Sequence, residues 1–393
     1  MPAQPPSSLC PETKSGSLLH WLAGYGRPGK KPRPLWVIYL VAAGLAYLPP
    51  LIAAALGHRL TFVPQSPLVK YYSDAPLHDF VPFLEDWGLA YGLLISFPTL
   101  LLMYLTDERV LSTSLRQVQR DEVIVASGPD AVALPSTWEP KFRRANIWSQ
   151  GVGIVGGIAL GLLTLLVFIR PAGESWMVHR DHLGLLAYAY AFAISLLYAM
   201  VIIYVWRCVT MSKFLRALVK AAPLHLLPFH PDKCGGLRPV GQIGLRNQYT
   251  LTVLGINIVL LILVWTASQN DSAPLTFLMM LVAMAFLILG PVVFMAPLLP
   301  FRRGMLDAKS EWTSEIAHLL RKEFAKLRKK IRKEEITKSD EETIDRLRKV
   351  GEVIDDLPVW PFDARTLRRF ATAYLIPIGI PLGQVLLDVI KKP

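Results

Sequence analysis

Four groups able to hold a transition metal fall within one ten-residue stretch: His225, His230, Asp232 and Cys234. Imidazole, carboxylate and thiolate are the ligands that zinc and iron take. The spacing matches no common finger, and Pro228 and Pro231 restrict the loop. The same residues also read as a structured turn. His-Pro favours extended backbone, Asp232 can accept backbone amides or cap a helix, and Gly235-Gly236 permits positive φ. A second metal candidate is His179, Asp181 and His182, joined by His58 or His78 from an earlier loop; interfacial polar residues are the plainer reading. No Ser/His/Asp arrangement and no paired carboxylates stand out, so no catalytic residue and no cofactor is expected.

Three further motif matches fail on physical grounds. Gly151-Val-Gly153-Ile-Val-Gly156 fits the dinucleotide pattern but follows no strand and lies inside an apolar run. Gly153, Gly157 and Gly161 instead make a small-residue strip on one helix face, which lets a neighbour approach closely. His179-Arg180-Asp181 matches a kinase triplet with no Asp-Phe-Gly after it. His230-Pro231-Asp232 is the tripeptide of J-domain co-chaperones, and the interval from Trp206 to Tyr249 leaves no room for that fold.

The elements that must position these residues are membrane spans. The chain has 393 residues, 52% hydrophobic and only 18% charged, with mean hydropathy +0.38. A bilayer core needs roughly 20 apolar residues as helix. Six stretches meet or approach this: Leu35–Leu56, Trp87–Leu105, Ile147–Ile169, Leu183–Trp206, Tyr249–Thr266 and Leu275–Leu298. None carries Asp, Glu, Lys, Arg or His in its interior. The weaker stretch Phe370–Ile390 contains Pro377, Pro381 and Asp388 and is expected to be interfacial or re-entrant. The predicted fold class is therefore all-α: a polytopic membrane helix bundle of about six transmembrane helices, a cytoplasmic helical hairpin and that C-terminal segment. Residues 1–34 are expected as a cytoplasmic segment, 35–298 as the transmembrane domain, 299–357 as the hairpin and 358–393 as membrane-associated.

Lys and Arg set the orientation. The segments that would be cytoplasmic with both termini inside carry 38 of the 42 basic residues and 23 of the 30 acidic ones. The net charge of +12 then follows from topology, without nucleic acid as a partner. Cys10, Cys208 and Cys234 all fall on the same side, where thiols stay reduced. Pro129-Asp130 and Pro231-Asp232 stand 102 residues apart before the third and fifth spans. Each is followed by a cluster at the span mouth, Arg143, Arg144 and Asn146, then Arg246 and Asn247. Either a two-span parallel repeat or coincidence accounts for this.

Met305–Lys333 reads as a long amphipathic helix whose C-terminal half is crowded with Lys and Arg, and Ser339–Leu357 as a second. The basic stretch is suited to anionic lipid headgroups, and the hairpin to packing on loops or on copies in a homo-oligomer.

Two segments together resemble a family of bacterial polytopic membrane proteins to which no activity is attached. They are His230-Pro231-Asp232-Lys233-Cys234-Gly235-Gly236-Leu237 and Val359-Trp360-Pro361-Phe362-Asp363 with Thr366–Phe370. The resemblance covers the C-terminal half and implies a bacterial inner membrane. Trp360 and Phe362 are expected at the membrane interface, with Arg365, Arg368 and Arg369 meeting phosphates. The favoured function is an oligomeric channel or pore-like protein, with Ser149, Gln150 and Asn257 as pore or packing polar groups. A sensor or scaffold working through the cytoplasmic loops and tail is the alternative.

Overall fold

Four of the long apolar runs continue as helix well past one end, whereas the first is helix over Leu35–Leu56 alone. In the computed structural model, residues 9–11, 17–24, 33–57, 60, 83–125, 128–166, 178–179, 182–183, 185–222, 224–227, 230–232, 234–267, 273–331, 338–357, 359–362, 368 and 372 are described. A short helix α1 (Leu18–Leu22) precedes the first long helix, α2 (Leu35–Leu56). Then come α3 (Trp87–Arg120), α4 (Pro129–Thr164), α5 (Leu185–Ala221), α6 (Arg238–Ala267) and α7 (Ala273–Met295). The tail forms α8 (Leu299–Ile331) and α9 (Lys338–Asp355). The fold is an all-α bundle. Among the described residues five helices, α2 to α6, are long and apolar enough to cross a membrane. A sixth span would be the pair Leu281–Met295 and Leu299–Arg328, bent by 50° between them.

Local chemistry shapes the helices. Within α3, Gly92–Ser96 is a π turn. Pro98, in the turn that follows, has no N–H for the Leu94 carbonyl, and the Tyr39 hydroxyl of α2 donates to that carbonyl at 2.9 Å. Gly153, Gly157 and Gly161 of α4 are buried against Ala191, Ser195, Ala199 and Ile203 of α5. A Cβ on Gly157 would lie 2.6 Å from the Ser195 carbonyl oxygen.

Helices α3 and α5 carry the same buried pattern 100 positions apart. Tyr104, Leu111, Ser114, Leu115 and Val118 are buried on α3; Tyr204, Met211, Phe214, Leu215 and Leu218 are buried on α5. The contacts repeat as well. The Tyr104 hydroxyl donates to Asn146 and the Tyr204 hydroxyl to Asn247. Helix α4 packs on α5, and α6 on α3. Two contacts join equivalent positions directly: the Asp107–Arg207 ion pair and the antiparallel bridge between Ile124 and Leu224. Self-facing contacts of this kind mark a pseudo-two-fold axis between two parallel two-helix units. The Pro-Asp dipeptides do not mark it. Pro129 opens α4 itself, whereas Asp232 lies in a turn ahead of α6.

The apolar core is divided. One cluster surrounds Ala46, Leu100, Tyr104, Leu197 and Tyr204. The other surrounds Leu111, Leu115, Phe142, Phe214, Leu237 and Phe301, and takes in Leu9 of the N-terminal segment. A polar layer lies between them.

Candidate functional site

That layer is built from residues just outside the apolar runs. Asp107 follows Tyr104 by one turn and Arg207 follows Tyr204 likewise, so both stay in phase with the buried faces of their helices. Arg207 is 3% exposed. Its Nε donates to Asp107 Oδ2 at 3.1 Å and its Nη1 to Asn146 Oδ1 at 3.1 Å. Its guanidinium carbon lies 5.2 Å from the Phe142 ring centroid and 5.7 Å from that of Tyr104, a cation–π arrangement. From α6, Arg246 Nη1 stands 4.0 Å from Asp107 Oδ1, and its Nη2 donates to the Met103 carbonyl and Thr106 Oγ1. One carboxylate thus sits between two guanidinium groups. Beyond Asn146 the chain of bonds runs to the N-terminal segment. Gln150 Nε2 donates to Ser17 Oγ at 2.9 Å and to the Tyr104 hydroxyl at 3.2 Å, and its Oε1 accepts from the Leu18 amide at 2.9 Å. The runs are charge-free as expected, but the helices that extend them turn three charges inward. The signal was present in the helical phase of positions 104, 107 and 111 and of 204, 207 and 211.

The His225–Cys234 stretch forms a turn above this layer. Asp232 organises it. Its Oδ1 accepts the Cys234 amide at 2.8 Å and the Gly236 amide at 3.0 Å, and its Oδ2 accepts the Arg238 amide at 3.2 Å, which caps α6. Gly235 and Gly236 take φ of +64° and +85°. A Cβ on Gly236 would strike the Val123 side chain. His230 Nδ1 lies 2.8 Å from Asp232 Oδ1, and its Nε2 lies 3.8 Å from Asp121 Oδ2 at the end of α3. Burial opposes ionisation of Asp232, but the amides of Cys234 and Gly236, the His230 side chain and the Arg238 amide outweigh it and hold this carboxyl below its usual range. His225 is exposed and Cys234 buried. Among the described residues no three His, Cys, Asp or Glu side chains come together as a metal site. His179 and His182 are paired backbone positions of a hairpin of two-residue strands, β1 (Val178–His179) and β2 (His182–Leu183); His58, His78 and Asp181 lie outside the described residues.

The remaining expected groups are placed as follows. The Ser149 hydroxyl donates to the Asn146 carbonyl within α4 at 3.0 Å, and Asn257 Nδ2 to the Gly88 carbonyl at 2.8 Å. With Gln150 on the N-terminal segment, all three polar groups named for a pore are bonded inside the chain. Phe362, expected at the membrane interface, is instead in the protein core. It lies 5.9 Å from the Phe294 ring, and Trp360 stacks on it at 5.4 Å while facing Arg302 at 4.7 Å. Gly241 makes room for this segment, because a Cβ there would strike the Pro361 carbonyl. Arg368 is exposed; Arg365, Arg369 and Phe370–Ile390 lie outside the described residues.

Compared with protein-family models, curated proteins and solved structures, the chain matches none.

Proposed function

We propose that the chain is a multi-pass membrane protein acting as a sensor or scaffold through the loops and tail at the charged end of its bundle, in preference to a pore through one chain. The carrying observation is the Arg246–Asp107–Arg207 layer. It ties α3, α5 and α6 to the end where the two loops pair at Ile124 and Leu224. A buried charged layer does little for stability compared with apolar packing, and its best-attested use is to fix one arrangement among alternatives. The polar groups that would line a pore are consumed in bonds between helices and to Ser17.

The asymmetry of basic residues supports an orientation with both termini and the paired loops in the cytoplasm of a bacterial inner membrane. Lys322, Lys326, Arg328 and Lys330 of α8 then face anionic headgroups or a second copy of the chain. Purified protein in liposomes tests the reading. Ion flux no greater than in protein-free vesicles is expected; flux that scales with protein and is abolished by Gln150→Leu restores the channel. Reporter fusions at Val125 and Lys330 are expected to report inside and at Lys70 outside; reversal at any of the three defeats the orientation.

A further inference from the structure

A cavity of about 320 Å³ opens between the last turn of α3, the Asp232 turn and the first turn of α6. Asp121 and Gln117 line it from α3, His230 and Asp232 from the turn, and Arg238 and Gln242 from α6. Its size suits a small molecule, at the lower end of ligand clefts.

The walls differ in what they have left to offer. Asp232 is spent on three backbone amides and on His230. The 2.8 Å approach of His230 Nδ1 to that carboxylate oxygen favours a proton on Nδ1 over acceptance of the Asp232 amide, which lies farther off at 3.3 Å. In the neutral ring Nε2 is then an acceptor. It faces the carboxylate of Asp121, also an acceptor, across 3.8 Å. Two acceptors that converge without touching call for a donor with more than one hydrogen. A primary ammonium supplies this. The Arg238 guanidinium has no acidic partner among the described residues. It carries the opposite requirement, an anionic oxygen. A simple metal cation would face Arg238, and a simple anion would face Asp121; neither meets both ends.

We propose that this cavity binds a small zwitterion, its primary ammonium held between Asp121 and His230 and its anionic group by Arg238. The site would supply the stimulus for the sensing role and rests on that reading for its purpose. The same chemistry occurs on a free amino-phosphate or amino-acid-like solute and on an aminophospholipid headgroup.

Phosphoethanolamine is the probe, titrated calorimetrically into the full chain in detergent. Saturable binding is expected, with ethanolamine and inorganic phosphate each weaker by roughly ten- to hundredfold, the loss of one charge-assisted contact. Asp121→Asn and Arg238→Gln should each weaken the probe by a similar factor while melting like the parent, and the distant Gly151→Ala should bind as the parent does. Absence of saturable binding, equal binding of the two half-molecules, or indifference to both substitutions overturns the site. If Asp121→Asn fails to fold, Arg238→Gln alone decides, since its backbone amide still donates to the capping Asp232. Nanodiscs separate the sources. A headgroup ligand makes phosphatidylethanolamine discs compete with the probe where phosphatidylcholine discs do not, whereas a free solute binds equally in both. Loss of binding leaves the flux result untouched, and ion flux overturns the sensing role without touching binding.

Discussion

Removing Asp107 should be more damaging than removing Arg207, although the two form one ion pair. Arg207 is almost fully buried, its side chain 2% exposed, and it pairs with the Asp107 carboxylate. Asp107→Leu removes the carboxylate that lies between two inward guanidinium groups, Arg207 and Arg246. Stripping one partner from a buried pair costs about 3–5 kcal/mol. The 15% exposure of the Asp107 side chain lets some water reach the gap, which argues for about 3 kcal/mol. Arg207→Met leaves Asp107 balanced by Arg246 at 4.0 Å, so the loss is closer to one charged hydrogen bond, about 1.5–3 kcal/mol. The double variant leaves one inward guanidinium, Arg246, without that carboxylate instead of two and should cost less than Asp107→Leu alone, with a coupling of about 2 kcal/mol. Reversible unfolding in mixed micelles with increasing denaturing detergent, followed by tryptophan fluorescence, measures all four corners of the cycle. Additivity within about 0.5 kcal/mol would refute the coupling. A larger loss from Arg207→Met than from Asp107→Leu would refute the placement of one carboxylate between two arginines.

The α4–α5 seam should discriminate sharply between glycines. Gly157→Val forces a methyl-bearing carbon into the Ser195 carbonyl and should cost about 1–3 kcal/mol, whereas Gly151→Ala points into open space and should leave the unfolding curve unchanged. Gly236→Ala meets both a positive φ and the Val123 side chain, and a loss of about 1–3 kcal/mol is expected; an unchanged melting temperature would contradict the turn geometry. Asp232 carries a lowered pKa in the folded chain, so its stabilisation is complete above the unfolded carboxylate value of about 4 and fades as pH falls through the lower folded value. The parent should therefore melt above Asp232→Ala by a constant margin from neutral pH to about pH 5, equivalent to about 1–2 kcal/mol, and that margin should shrink below about pH 4. A margin that grows on acidification has the wrong sign for this carboxylate.

The helices were legible because hydropathy over a bilayer's thickness is a strong and local signal. Asp232 was legible as a turn residue because Asp next to Pro and ahead of Gly-Gly meets few other needs. The charged layer was not. A charged residue one turn past an apolar run reads as the start of a loop unless its helical phase is followed, and Asp107 and Arg207 keep that phase. Ser17 and Leu18 carry no pattern of their own, and their partner Gln150 lies 132 to 133 positions away. Aromatic rings suit both a membrane surface and a protein core, so the packing of Phe362 on Phe294 and of Trp360 on Arg302 could not be read from residue type alone.

A residue on a two-fold axis meets its own copy. Two identical subunits can therefore place only like opposite like there, and an acid would face an acid. Two units joined in one chain escape that rule, and positions 107 and 207 differ as a carboxylate and a guanidinium. The second unit also carries Arg246 where its counterpart by the Asn146–Asn247 alignment is Ala145. Two units in one chain thus carry a handed charge distribution across an otherwise repeated frame, so the two halves are electrostatically distinct.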